Sequence, residues 1–200
     1  LRYGGNVDVA DAATHIFRKV LITNPDRFFG ELSGRASNLL APFLIVLIGA
    51  AIPPIAKMIC YHSIVLPPVV VVGLITPFIG WFLCAGAFHT ISIFFRGVGS
   101  FRRVSEFTGY GFIPQIPSAI LNALLLPVLL PLLASHPQFM MYAIAIVSSL
   151  LSLYSVAIWV FAVKHARNLS TQDALFTVVG GVVVGWLLLL FAALAFSPLL

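Results

Sequence analysis

The sequence predicts an all-α fold: a polytopic integral membrane helical bundle with five transmembrane helices and an N-terminal amphipathic helix at the cytoplasmic face or interface. Three observations carry that expectation. First, 60% of the 200 residues are hydrophobic and 8% are charged, with a mean hydropathy of +1.08; a soluble domain is roughly 45–50% apolar and about 25% charged. Second, the 11 basic and 6 acidic residues are unevenly placed, nine of them within the first 35 positions. Third, five apolar stretches occupy 38–61, 66–95, 109–134, 138–164 and 174–197. Each is near or above the ~20 residues that cross ~30 Å of hydrocarbon. The chain therefore divides into a polar head, 1–35, and a transmembrane domain, 36–200. This balance excludes a soluble enzyme, a disordered tail and a disulfide-stapled secreted module.

The head lacks the basic start, apolar core and small-residue cleavage site of a signal peptide. It starts at Leu1 rather than Met, so residues 1–7 are set aside from the fold reading. Ala10, Ala13, Ile16, Phe17, Val20 and Leu21 then recur at helical spacing, opposite Asp11, Thr14, Arg18 and Lys19. That pattern is an amphipathic helix too polar to span, expected as a docked surface helix. Asn24-Pro25-Asp26 reads as a helix start: an N-cap side chain, a proline at the first position, and an acid at the positive dipole end. Phe28 and Phe29 are expected at the interface or under the bundle.

Prolines punctuate the spans. Pro53-Pro54 are expected to bend or break the first, Pro67, Pro68 and Pro77 to start, kink or tilt the second, and Pro127 and Pro131 to bend the third. Ser148, Ser152 and Ser155 share one face of the fourth, and Gly181 and Gly185 form a small-xxx-small pair in the fifth; both are expected to serve helix packing. Orientation follows from basic residues. Ten of the eleven fall before the first span or in the second-to-third and fourth-to-fifth connections, leaving only Lys57 opposite, where it is expected to snorkel. The positive-inside rule then puts the N-terminus in the cytoplasm and the C-terminus outside. For a prokaryote that membrane is the cell membrane.

Candidate chemistry is sparse. His89 is an ionisable residue inside the second span, and such residues are functional hypotheses by default. It is expected as a neutral ring bonded to a neighbouring carbonyl. The competing reading is a small transporter or channel whose pathway passes the proline-broken helices near His89. Cys60, His62 and His136 make no recognisable metal site, so no metal and no cofactor is expected. Gly97-Val98-Gly99-Ser100 lacks the strand-turn-helix setting of a nucleophile elbow and reads as a flexible loop start. No enzymatic activity is expected, and no basic groove with interleaved aromatics points to nucleic acid.

The most informative stretch runs from Gly97 to Pro114. Arg102, Arg103 and Glu106 occupy its polar positions, and Gly109-Tyr110-Gly111 with Pro114 lead into the third span. Together with Asn24-Pro25-Asp26-Arg27-Phe28-Phe29, and with Trp159 to Lys164 followed by His165-Ala-Arg-Asn-Leu-Ser170, this run resembles the Yip-one domain family, named for eukaryotic members that interact with Ypt/Rab GTPases. The resemblance covers most of 24–197. It implies a five-span domain with a cytoplasmic N-terminus. The Asp-Leu-Tyr-Gly-Pro segment and long N-terminal region of eukaryotic members are not found in this sequence. The resemblance is therefore to the prokaryotic branch and does not extend to a Rab-type GTPase partner.

The expected function is non-enzymatic: organising membrane partners or bilayer shape through the cytoplasmic face. The candidate partner- and lipid-binding residues are Asn24, Pro25, Asp26, Phe28, Phe29, Arg96, Arg102, Arg103, Glu106, Lys164 and Arg167. Expected partners are the bilayer itself, anionic lipid attracted by the arginines and lysine, and other membrane proteins or further copies of this chain.

Overall fold

The structure is a computed structural model that describes residues 23–61, 67–125 and 137–196. The expected amphipathic helix around Ala10 to Leu21, His62, His136, Pro127 and Pro131 lie outside the described residues, as do the side chains of Lys57 and Cys60.

Asn24 caps the first described helix, α1 (Pro25–Ser33), its side chain accepting the Arg27 amide at 3.1 Å. With Pro25 opening the helix and Asp26 in its first turn, the start is the one its residue types predict. Helix α2 (Leu40–Tyr61) continues through Pro53 and Pro54, and α3 (Pro67–Phe94) continues through Pro77. The first span is therefore not broken at its proline pair. Membrane-type helices tolerate proline where neighbouring turns and helices serve the freed carbonyls.

The third apolar stretch departs most from expectation. It does not enter a helix at Gly109. Helix α4 (Phe101–Tyr110) ends there, a turn follows at 111–114, and α5 (Gln115–Ile120) runs into a π-helical turn at Leu121–Leu125. The Gly111 amide returns to the Thr108 carbonyl at 3.0 Å and Phe112 to Gly109 at 3.2 Å, tightening the end of α4. Pro114 then brings a fixed φ and no N–H to the next helix start. Helices α6 (Pro137–Arg167) and α7 (Thr171–Phe196) match the last two stretches closely.

Helix α7 packs on α3 and α6, α2 on α3, and α1 on α6, while short α4 lies against α2, α3 and α6. The core is gathered toward one end, where Phe29, Phe88, Val104, Phe107, Ile158 and Val163 are almost fully buried. The remainder of the helices turns apolar side chains outward. Among the described residues, Val70–Phe94 and Met141–Arg167 are long and apolar enough to cross a membrane, and Leu40–Ala56 and Thr171–Leu187 are shorter apolar helices. In the most apolar window of Val70–Phe94 only 11% of residues are buried. The core helix of a soluble protein would hide that surface; here it faces out, as lipid-facing helices do.

Small and polar residues fit the helices together. A Cβ on Gly181 would overlap the Phe88 ring, so this glycine serves packing within the chain, whereas Gly185 meets no described atom within 4 Å. The serine face of α6 bonds across to the broken third stretch: Gln115 Nε2 donates to Ser155 Oγ at 3.0 Å and Asn122 Nδ2 to Ser148 Oγ at 2.8 Å.

Candidate functional site: the polar end of the bundle

The start of α1, the α3–α4 connection and the α6–α7 connection meet at one end. Three of the sequence-predicted segments are thus brought together, and most of their side chains hold one another.

Two helices stop in the same way. Arg96 (φ 58°) and Asn168 (φ 53°) adopt the left-handed conformation, the Gly97 amide reaches Ser92 O, and the Leu169 amide reaches Lys164 O, both at 2.9 Å. This closure usually employs glycine, and a residue with a side chain pays about 1–2 kcal/mol for it. The two closures are laced together, with Val98 N–H donating to Arg167 O at 2.8 Å. Gly97-Val98-Gly99 is therefore a close-fitting segment and not a loose loop start. A Cβ on Gly99 (φ +149°) would collide with the Ala166 carbonyl, and one on Gly97 would lie 2.9 Å from Ser92 O.

Arg167 is buried, 3% exposed. Its guanidinium donates to Ser92 Oγ at 2.8 Å and to the carbonyls of Gly97 and Gly99. Arg103 is engaged similarly. It donates to Glu106 at 3.1 Å, to the carbonyls of Leu32 and Ser33 in the last turn of α1 and of Arg35 just beyond it, and lies over the Phe107 ring at 5.4 Å. A cation at those carbonyls complements the negative end of α1. Glu106 is not on a solvated face; it is 1% exposed, with Arg103 as its ion-pair partner.

Asp26 Oδ1 receives Lys164 Nζ at 2.6 Å and lies 2.8 Å from His165 Nε2. The Lys164 hydrogen bond, then that of His165, holds the Asp26 carboxyl below its ordinary value. Phe28 and Phe29 do not face lipid. Both are buried, Phe28 edge-on to Tyr110 at 5.3 Å and Phe29 against Phe107 at 5.2 Å.

Two tryptophans that the charge-based reading passed over clamp α4. Trp81 Nε1 donates to Ser105 O at 2.8 Å and Trp159 Nε1 to Thr108 O at 2.9 Å. Their signal was available, because a tryptophan within an apolar span must place its N–H on an acceptor. The glycines of Gly109-Tyr110-Gly111 make room for this clamp. A Cβ on Gly109 would strike Pro42 and approach Trp81 at 3.1 Å, and one on Gly111 would overlap the Trp159 indole. Pro114 is buried just beyond them.

His89 does not make the expected bond to a carbonyl. Its Nδ1 is buried with no hydrogen-bond partner among the described residues, and its ring meets Phe101 edge-on at 5.7 Å. Among the described residues no group of three or more His, Cys, Asp or Glu is placed to hold a metal ion.

Two of the predicted cations point outward. Arg102 is exposed and, among the described residues, reaches only the Ser37 carbonyl with its side chain, at 3.3 Å. The side chain of exposed Arg96 engages no hydrogen bond or ion pair among the described residues. On either side of Arg96 in the sequence, Phe94 is 82% and Val98 75% exposed.

Outward-facing apolar helices closed at one end by a tightly bonded polar cap define a helical membrane protein. Comparison then supplies the family: the chain belongs to the Yip1 domain family, whose domain matches residues 19–194. It is also similar to an uncharacterised protein of the archaeon Methanocaldococcus jannaschii, 40% identical over 115 residues, which span 50% of this chain and 82% of that protein. That relative agrees with the prokaryotic branch. No solved structure matches.

Proposed function

We propose that the protein is a five-span, non-enzymatic membrane protein whose polar end faces the cytoplasm and gathers anionic lipid, organising the bilayer and neighbouring membrane proteins around it. A head of residues 1–35 precedes the transmembrane body, 36–200, with α1 of the head docked on α6. The N-terminus is cytoplasmic and the C-terminus outside.

The observation that carries this reading is the division of labour among the cations. Arg103, Lys164 and Arg167 are engaged within the fold, whereas Arg96, between exposed Phe94 and Val98 in the sequence, and Arg102, next to exposed Phe101, face outward. Arginines flanked by outward apolar side chains suit the headgroup layer, where hydrocarbon meets phosphate. Each such cation contributes about 1 kcal/mol toward an anionic surface. The residues of the expected lipid patch thus contract to Arg96 and Arg102, and Asn24, Pro25, Asp26, Phe28, Phe29 and Glu106 position the cap. His89 receives no pathway role.

The test is lipid analysis of the full chain reconstituted in mixed phosphatidylglycerol and phosphatidylcholine nanodiscs. Wild type is expected to enrich phosphatidylglycerol. Arg96→Gln with Arg102→Gln should lower its affinity by about tenfold to thirtyfold, since the two cations together are worth about 2 kcal/mol. Unchanged enrichment would overturn the lipid reading.

A further inference from the structure

Between α2, α3 and the broken third stretch lies a cavity of about 330 Å³. Its walls are apolar, formed by Ile45, Val46, Pro77 and Phe112, and its polar edge includes Gln115 and Asn122. Among the described residues no charged side chain lines it. The two carboxamides are half engaged. Gln115 gives its N–H to Ser155, and Asn122 gives its N–H groups to Ser118 and to Ser148. Among the described residues no donor reaches Gln115 Oε1 or Asn122 Oδ1, and neither oxygen is sealed away as an orphaned buried atom. Asn122 stands on the π-helical turn, a distortion that recurs at functional sites.

An acceptor left open at membrane depth is costly, because hydrocarbon offers it no hydrogen bond. Size, apolar walls and a few convergent polar atoms are the ordinary make-up of a small-molecule site. We infer that this cavity binds a neutral lipid bearing a free hydroxyl, whose one O–H donates to the Asn122 carboxamide oxygen while its hydrocarbon lies against Ile45, Val46, Pro77 and Phe112. The absence of charge around the cavity selects an alcohol over a carboxylate, phosphate or amine. Its position between two apolar helices lets such a molecule enter from the bilayer.

The inference rests on α2 and α3 spanning the membrane. The test reconstitutes the full chain in phosphatidylcholine vesicles with a diazirine-bearing hexadecanol and, separately, its methyl ether, which keeps the chain and loses the donor. After photolysis, labelled peptides are mapped by mass spectrometry. The alcohol is expected to label segments 45–50 and 112–122 about fivefold more than the ether does, the ratio that one net hydrogen bond of ~1 kcal/mol supports. Asn122→Leu should bring the ratio close to one. Gly49→Leu, which leaves both carboxamides in place and grows from a position whose Cβ meets Ile116 at an ordinary 3.8 Å, should lower labelling by both probes. Equal labelling by alcohol and ether would overturn the inference and assign the open oxygens to water. Labelling spread evenly over the outward helix faces would also overturn it. Release of the chain by alkaline carbonate would instead refute the membrane-spanning reading on which it rests.

Discussion

Arg167→Ala should loosen the whole polar end of the bundle. The buried guanidinium donates to Ser92 Oγ, Gly97 O and Gly99 O, and so ties the end of α6 to the end of α3. A hydrogen bond from a charged donor is worth about 1.5–3 kcal/mol when its partner cannot rehydrate. The three acceptors differ in that respect. Gly99 is exposed and Gly97 half-buried, so water replaces much of what they lose, whereas Ser92 is fully buried. One full bond and a share of two others give about 3 kcal/mol. For a chain of this size that lowers the thermal midpoint by about 6–12 °C. The assay is thermal unfolding of the purified full chain in one fixed detergent, joined to hydrogen exchange over 96–100, where the Val98 amide is bonded to Arg167 O. Exchange there should accelerate. Arg167→Lys should recover only part of the loss, because one ammonium cannot fork to three acceptors. Arg167→Met separates bonding from packing: it restores volume without donors and should still be destabilised. A midpoint within about 1 °C of wild type for both Ala and Met, with unchanged exchange at Val98, would refute the argument.

Gly111→Ala should be destabilising by about 1–3 kcal/mol, because its Cβ would overlap the Trp159 indole that holds Thr108 O; a lowered thermal midpoint with altered tryptophan emission would report it, and wild-type values for both would count against the clamp. The Asp26 latch carries a defined pH dependence. Its carboxyl is held below 3.8 by Lys164 and then His165, so its contribution is complete above that value and is lost as the pH falls through the depressed one. Asp26→Asn should flatten acid destabilisation below about pH 4, at a cost of no more than ~1 kcal/mol at neutral pH because the pair is partly exposed. A midpoint-versus-pH curve unchanged by Asp26→Asn would contradict the latch.

Different parts of the molecule were legible to different degrees. The helix start at Asn24-Pro25-Asp26 was readable because capping chemistry lies within four residues of itself. The boundaries of α3, α6 and α7 followed from hydropathy alone. The third stretch was not readable in this way. Its apolar run over 109–134 looked continuous, yet Gly111 and Pro114 turn the chain before α5. The glycines there answer to Trp81 and Trp159, which sit far away in sequence. Arg103 and Arg102 show the same limit at the candidate site. Adjacent and chemically identical, one is half-buried on several carbonyls about 70 positions earlier and on Glu106, and the other is exposed with a single contact to Ser37 O.

Composition, hydropathy and local cap chemistry determined the class of protein and most helix positions, because each depends on residue type and near neighbours. The fate of the ionisable groups was decided only by the tertiary structure. Whether Arg167 meets lipid or backbone, whether Glu106 meets water or Arg103, and whether His89 finds an acceptor depend on which distant carbonyls and rings the packed helices bring within about 3 Å of them.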